Sequence, residues 1–189
     1  MSGTNKTRPE SVYTPQQAAV IAGVNLQTLK NAVSRRSLPE GMRVVAGRGQ
    51  IDRSGVLAVF IVRQLAPEIE VPVELVYKAI KADPQMRETK EIKPGVVLDF
   101  GKIASRVAER MDDYDRAVGL VSTDPAIMGG APCIAGSRIP VHQIARYLKH
   151  GETTSSLRKL YPSLTKEQIE AARLYAEANP LRGKPRRRA

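Results

Sequence analysis

Tryptophan is absent from this chain, and all aromatic residues together make up 4% of it. Packed interiors must therefore be aliphatic, built on Leu, Ile, Val and Ala within an apolar fraction of 42%. The single cysteine, Cys133, excludes an intramolecular disulfide; set in an apolar stretch, it reads as a small buried hydrophobe. Only two histidines are present, His142 and His150, and no thiol or carboxylate cluster completes a metal site around them. No metal and no cofactor is expected. No apolar run approaches the roughly 20 residues of a membrane span. The first residues, MSGTNKTRPES, contain no apolar signal region. These absences predict a soluble, cytoplasmic protein with no membrane partner. Asp112, Asp113 and Asp115 alternate with Tyr114 and Arg116 in a helical pattern, which puts the carboxylates in water instead of converging them on an ion. No nucleophile–base pair is legible either. No catalytic residue is assigned, and an enzyme is not expected.

Acidic residues are scarce at both ends. The 189 residues include 30 basic and 19 acidic ones, a net charge of +11. Residues 1–65 hold nine basic and three acidic side chains (+6), residues 66–121 nine and eleven (−2), and residues 122–189 twelve and five (+7). Basic excess around a near-neutral middle predicts two polyanion-facing or acid-facing regions joined by a connector. The plainer alternative is that the excess serves solubility alone. The chain divides into a flexible N-terminus (1–12), a first domain (13–65), a connector with helices and one strand (66–121), a C-terminal domain (122–180) and a basic tail (181–189).

Residues 13–65 carry the logic of a winged helix-turn-helix. Thr14 is placed to cap a helix with Pro15 at its first position, and Gln17 completes a capping box. Gly23 permits a tight turn. Asn25 then caps a second helix with Leu26, Leu29 and Val33 at core spacing. The outward face of that helix presents Gln27, Thr28, Lys30, Asn31, Ser34 and Arg35, followed by Arg36. These side chains bond base edges or phosphates, and none is acidic. A hairpin is expected from Arg43-Val44-Val45 and Gln50-Ile51-Asp52 around Gly47-Arg48-Gly49, with Arg43 and Arg48 meeting phosphate or the minor groove. A closing helix starts near Ser54. This layout resembles the DNA-binding domain of MerR-like regulators and excisionases. The alternative is a small helical packing module with its polar face in water.

In the connector, VELVYKAIKA reads as a short helix and Val96–Phe100 as a lone strand that must pair near Cys133–Ile139 or with another subunit. The next helix puts Ile103, Val107, Met111 and Tyr114 on one face. A homodimer formed through residues 66–150 is expected. Beyond Pro140, three helices are predicted at 140–149, 154–160 and 165–178, with Ile144, Leu148, Leu157, Leu160, Leu164, Ile169, Ala172 and Ala176 as their core. The last helix displays Lys166, Glu167, Glu170, Arg173 and Glu177. Its carboxylates would repel phosphates, so protein contact is the better reading there. The tail LRGKPRRRA is expected to be disordered when free.

Residues 122–142, STDPAIMGGAPCIAGSRIPVH, form a turn-rich start, a short apolar strand at Pro132-Cys133-Ile134 and a helix entry at Gly136-Ser137-Arg138-Ile139-Pro140-Val141. The glycine spacing and Lys-Ser/Thr of a phosphate-binding loop are missing. Together with Gly151, Tyr161-Pro162, Leu164-Thr165 and Ala171–Pro180, this segment resembles the domain-of-unknown-function family numbered 433, a small helical domain common in VapB-type antitoxins. The expected fold is mainly α with short β hairpins: an N-terminal winged helix-turn-helix and a C-terminal three-helix, helix-turn-helix-like domain. The resemblance implies an antitoxin of a type II toxin–antitoxin pair. Such a protein binds operator DNA and neutralises a ribonuclease toxin of the PIN-domain VapC type. The tail cations Arg182, Lys184, Arg186, Arg187 and Arg188 are expected to meet that toxin's acidic site; the alternatives are a phosphate-binding arm and a solvated tail. The alternative is a stand-alone DNA-binding transcriptional regulator or an excisionase-like architectural factor.

Overall fold

The computed structural model describes residues 12–33, 50–65, 72–82 and 89–181. Among them are eight α-helices and three two-stranded antiparallel pairs, so the fold is mainly helical with short strands. The chain divides into two compact units, Met1–Arg110 and Met111–Ala189.

In the first unit, β1 (Val12–Tyr13) runs into Thr14 and α1 (Pro15–Ala22). The capping box forms: the Gln17 N–H donates to Thr14 Oγ1 at 3.3 Å, and the Thr14 N–H donates to Gln17 Oε1 at 2.9 Å. Ala18, Ala19, Ile21 and Ala22 are buried. Gly23 ends the helix at φ 65°, the left-handed conformation that glycine adopts without a steric penalty. The last turn of α1 has no cation of its own. Two arginines from elsewhere in the unit supply it. Arg63 donates to the Gly23 carbonyl, and Arg110 donates to the carbonyls of Ile21 and, at 2.9 Å, Val20. Neither contact has a signature in the sequence.

α2 (Leu26–Val33) follows, capped by Asn25, whose Oδ1 accepts the Thr28 N–H at 2.7 Å. β2 (Ile51–Asp52) pairs with β1, putting Tyr13 opposite Ile51, both buried. Of the hairpin expected around Gly47-Arg48-Gly49, Ile51 and Asp52 form a strand, and among the described residues its partner is β1, which at two residues is too short for alternation to reveal. Arg43–Val45 and Gly47–Gly49 lie outside the described residues. α3 (Arg53–Leu65) buries Val56 through Ile61, and α4 (Val73–Ala82) packs on it through Val73, Val76, Tyr77 and Ile80.

Asp52 ties these elements together and is the one charged residue buried among those described. Its Oδ1 accepts the Gly55 N–H at 2.7 Å, capping α3. Its Oδ2 accepts the Tyr77 hydroxyl at 3.0 Å and lies 2.9 Å from Lys81 Nζ. Burial, reinforced by the hydrogen bond to Asp52 and by its charge, pushes the Tyr77 hydroxyl up to about 12.

The strand expected to stand alone is half of a hairpin. β4 (Val96–Asp99) pairs with β3 (Thr89–Lys93), with Lys90 opposite Leu98 and an irregular register between Glu91 and Lys93. Gly95 at φ 78° makes the turn, and its N–H donates to Glu91 Oε1 at 2.8 Å. Three of the five residues of TKEIK are charged, which hides β3 from any apolar period. α5 (Phe100–Gly119) begins directly after β4.

In the second unit, β5 (Val121–Ser122) pairs with β6 (Cys133–Ile134), and Cys133 also bridges to Pro140. Between the strands, Met128, Gly129 and Gly130 hold successive positive φ values of 49°, 64° and 81°. The paired glycines are where the backbone demands them. α6 (Val141–Lys149), α7 (Thr154–Leu160) and α8 (Lys166–Ala178) then enclose a core of Ile134, Val141, Ile144, Leu157, Leu164, Ile169 and Ala172, flanked by Leu148 and Tyr161. Thr153 and Thr165 cap α7 and α8 with full capping boxes. Leu160, expected in this core, is 60% exposed. The inward stripe runs from Leu157 to Tyr161, four residues on, where the chain leaves the helix at φ −126°. Ala176 is buried as expected. His142 Nε2 donates to the Asn179 carbonyl at 2.8 Å, linking the start of α6 to the end of α8.

Candidate nucleic-acid interface

Helix α2 is held from below and open above. Leu29 is fully buried and Leu26 half-buried, while Gln27, Thr28, Lys30 and Asn31 are exposed. No residue of LQTLKNAV is acidic, so no carboxylate opposes an approaching phosphate. The Asn25 cap leaves the positive end of the helix dipole beside Gln27 and Thr28. Gln27 Nε2 donates to Asn31 Oδ1 at 2.7 Å, fixing two polar side chains one turn apart. Ser34, Arg35, Arg36, Arg43 and Arg48 lie outside the described residues, as does the side chain of Val33. Of the nine positions expected to meet DNA, the structure thus brings four onto one exposed surface.

The second unit presents different chemistry. On α8, Lys166, Glu167, Arg173 and Glu177 are exposed and Glu170 is half-buried. Arg173 bonds Glu170 at 3.0 Å and Glu177 at 3.5 Å. An open groove of about 300 Å³ runs between α8 and the end of α5, with Ala117 and Ala171 among its small residues and Asp113, Arg116, Glu167 and Glu170 around it. A mixed-charge rim over small apolar residues suits a protein segment better than a nucleic-acid backbone. The tail cations Arg182, Lys184, Arg186, Arg187 and Arg188 lie outside the described residues. Burial pushes the Cys133 thiol up, away from a reactive thiolate. No group of three or more His, Cys, Asp or Glu side chains capable of holding a metal occurs among the described residues, and none of their helices is long and apolar enough to cross a membrane.

Sequence reasoning misses Arg63 and Arg110, which hold the end of α1 beneath α2, and Asp52, which joins α3 to α4. For Asp52 a signal existed: Asp-Arg-Ser-Gly before an apolar run is a helix-capping pattern.

Residues 121–176 match the family described as "Protein of unknown function (DUF433)". A protein of Sinorhizobium fredii (strain NBRC 101917 / NGR234), described as uncharacterized protein y4eO, is 37% identical over 91 residues, which cover 48% of this chain and 41% of that protein. The chain thus spans less than half the length of this relative. No solved structure matches.

Proposed function

We propose that this chain is a DNA-binding antitoxin. Its first unit binds operator DNA through α2, and its second unit, with the basic tail, contacts a ribonuclease toxin of the PIN-domain VapC type. The observation that carries the DNA half is the exposed, acid-free face of α2 on its capped and buried support. The antitoxin half rests on the resemblance of residues 122–180 to the 433 family, whose match covers residues 121–176, and on the mixed-charge groove of the second unit. A homodimer is part of the reading, since two-fold operators are met by two-fold proteins.

Two units with different surfaces favour two partners over one. The stand-alone regulator remains the second reading, favoured by the same α2 face. Co-expression separates them, because an antitoxin co-purifies with the product of a neighbouring toxin gene and a stand-alone regulator does not. Within such a complex, guanidinium groups of the tail would pair bidentately with the toxin's metal-binding carboxylates. Truncation after Leu181 should then restore ribonuclease activity more than it weakens the complex, because apolar contacts of the folded unit supply most of the affinity. Equal neutralisation by the truncated and full chains would remove the tail from the site.

A further inference from the structure

We infer that Gln27 reads an adenine in the DNA major groove and that Asn31 is the residue that positions it; this rests on the proposed DNA-binding role of α2. Gln27 is the second residue of α2, and the first residues of a recognition helix are the ones that reach base edges. It is exposed. A glutamine amide has one oxygen with two lone pairs and one nitrogen with two hydrogens. The bond to Asn31 Oδ1 at 2.7 Å uses one of those hydrogens. We take that bond to use the hydrogen anti to Oε1, which leaves Oε1 and the syn N–H side by side on one edge of the amide. That edge complements adenine, whose N6 amino group donates and whose N7 accepts. Guanine offers two acceptors, N7 and O6, and would leave Oε1 facing an oxygen.

The Asn31 acceptor makes the pairing selective. A free glutamine exchanges its oxygen and nitrogen by rotation about its last bond, and either orientation meets some base. With the Asn31 amide held as it stands, its Oδ1 at 2.7 Å from Nε2 keeps the nitrogen on the Asn31 side and so sets which way the reading edge runs. It also orders a long side chain before binding, which lowers the entropy lost on contact. Thr28, beside Gln27 on the helix, has its N–H taken by the Asn25 cap, so the helix start is held rigid. Asn31 therefore acts through Gln27, and its loss should show in base preference before it shows in affinity.

The test uses the full chain. Selection from randomised duplexes gives the preferred site, and each adenine of that site is then replaced in turn by 7-deazaadenine, which lacks only the N7 acceptor. At one adenine the replacement should weaken wild-type binding roughly tenfold, the scale of one bidentate contact. Gln27→Ala should bind the unmodified site about as weakly, with no further loss on replacement. Asn31→Ala should lose most of the discrimination between adenine and guanine at that position. Asn31→Asp keeps the acceptor and should retain the discrimination, while its added negative charge lowers affinity for every sequence. Selection that succeeds while Gln27→Ala leaves every base preference unchanged would overturn this inference and leave the DNA-binding role standing. Failure of the wild-type chain to bind any duplex at low salt would overturn both.

Discussion

Replacing Asp52 with alanine should destabilise the first unit by about 3 kcal/mol. The side chain is 10% exposed and serves three partners at once. Losing the cap of α3 costs about 1 kcal/mol. Leaving the buried Tyr77 hydroxyl without its acceptor costs a further 1–3 kcal/mol or so. The Lys81 side chain is 41% exposed and turns to water, so its ion pair adds little. Thermal unfolding should fall by roughly 10 °C or more, and Lys81→Ala should cost under about 1 kcal/mol. A shift of only a few degrees for Asp52→Ala would mean that α4 is not held by this cluster. The cluster also has an alkaline signature. Tyr77 titrates near 10 when unfolded and near 12 when folded. Its contribution to stability is full below pH 10 and is lost as pH rises through 12. Tyr77→Phe should therefore lose less stability than the wild type across that interval in pH-dependent unfolding.

The second large effect is expected at Lys30. It is the one cation on α2 and is exposed, next in the helix to the buried Leu29. Lys30→Glu puts a carboxylate where a phosphate contact is proposed, and it should lower duplex affinity by tenfold or more at low salt. The slope of log affinity against log salt should shrink by about one for the lost contact. Lysine and glutamate are equally good helix formers, but Lys30 lies in the last turn of α2, so the charge reversal should cost at most about 1 kcal/mol of stability. Reduced DNA binding with no more than that small change in the melt places the effect at the interface; unchanged binding would exclude α2 from it.

Helices announce themselves in this sequence where caps and apolar spacing agree. Thr14 with Gln17, Asn25, and Thr165 with Gln168 mark helix starts that the structure reproduces. β2, β4 and β6 are legible in Gln50-Ile51-Asp52, Val96–Phe100 and Pro132-Cys133-Ile134, whereas β1 and β5, at two residues each, carry no period, and the lysines and glutamate of TKEIK mask β3. Leu160 is misread because an i, i+3 position competes with an i, i+4 one, and Tyr161 takes the inward place. At the candidate interface, the exposure of Gln27, Thr28, Lys30 and Asn31 is legible from the positions left over once Leu26 and Leu29 face inward. The Gln27–Asn31 bond is not, because four-residue spacing permits that contact without selecting it. The arginines at the end of α1 are farther from legible still. Arg63 and Arg110 lie 40 and 89 residues from the carbonyls of Gly23 and Ile21. No local pattern reports such a contact.

These long-range contacts decide which fragment should be tested. Residues 1–65 would omit α4 with Tyr77 and Lys81, which hold Asp52 at the start of α3, and Arg110, which bonds the end of α1, the helix α2 packs on. The direct measurement is the affinity of the fragment Met1–Arg110 for duplex DNA by fluorescence anisotropy, between about 50 and 200 mM salt. Tight binding at the low end that falls steeply with salt, and that Lys30→Glu weakens, is the expected result. Absence of binding at low salt, with the duplex affinity of the full chain residing instead in residues 111–189, would contradict it.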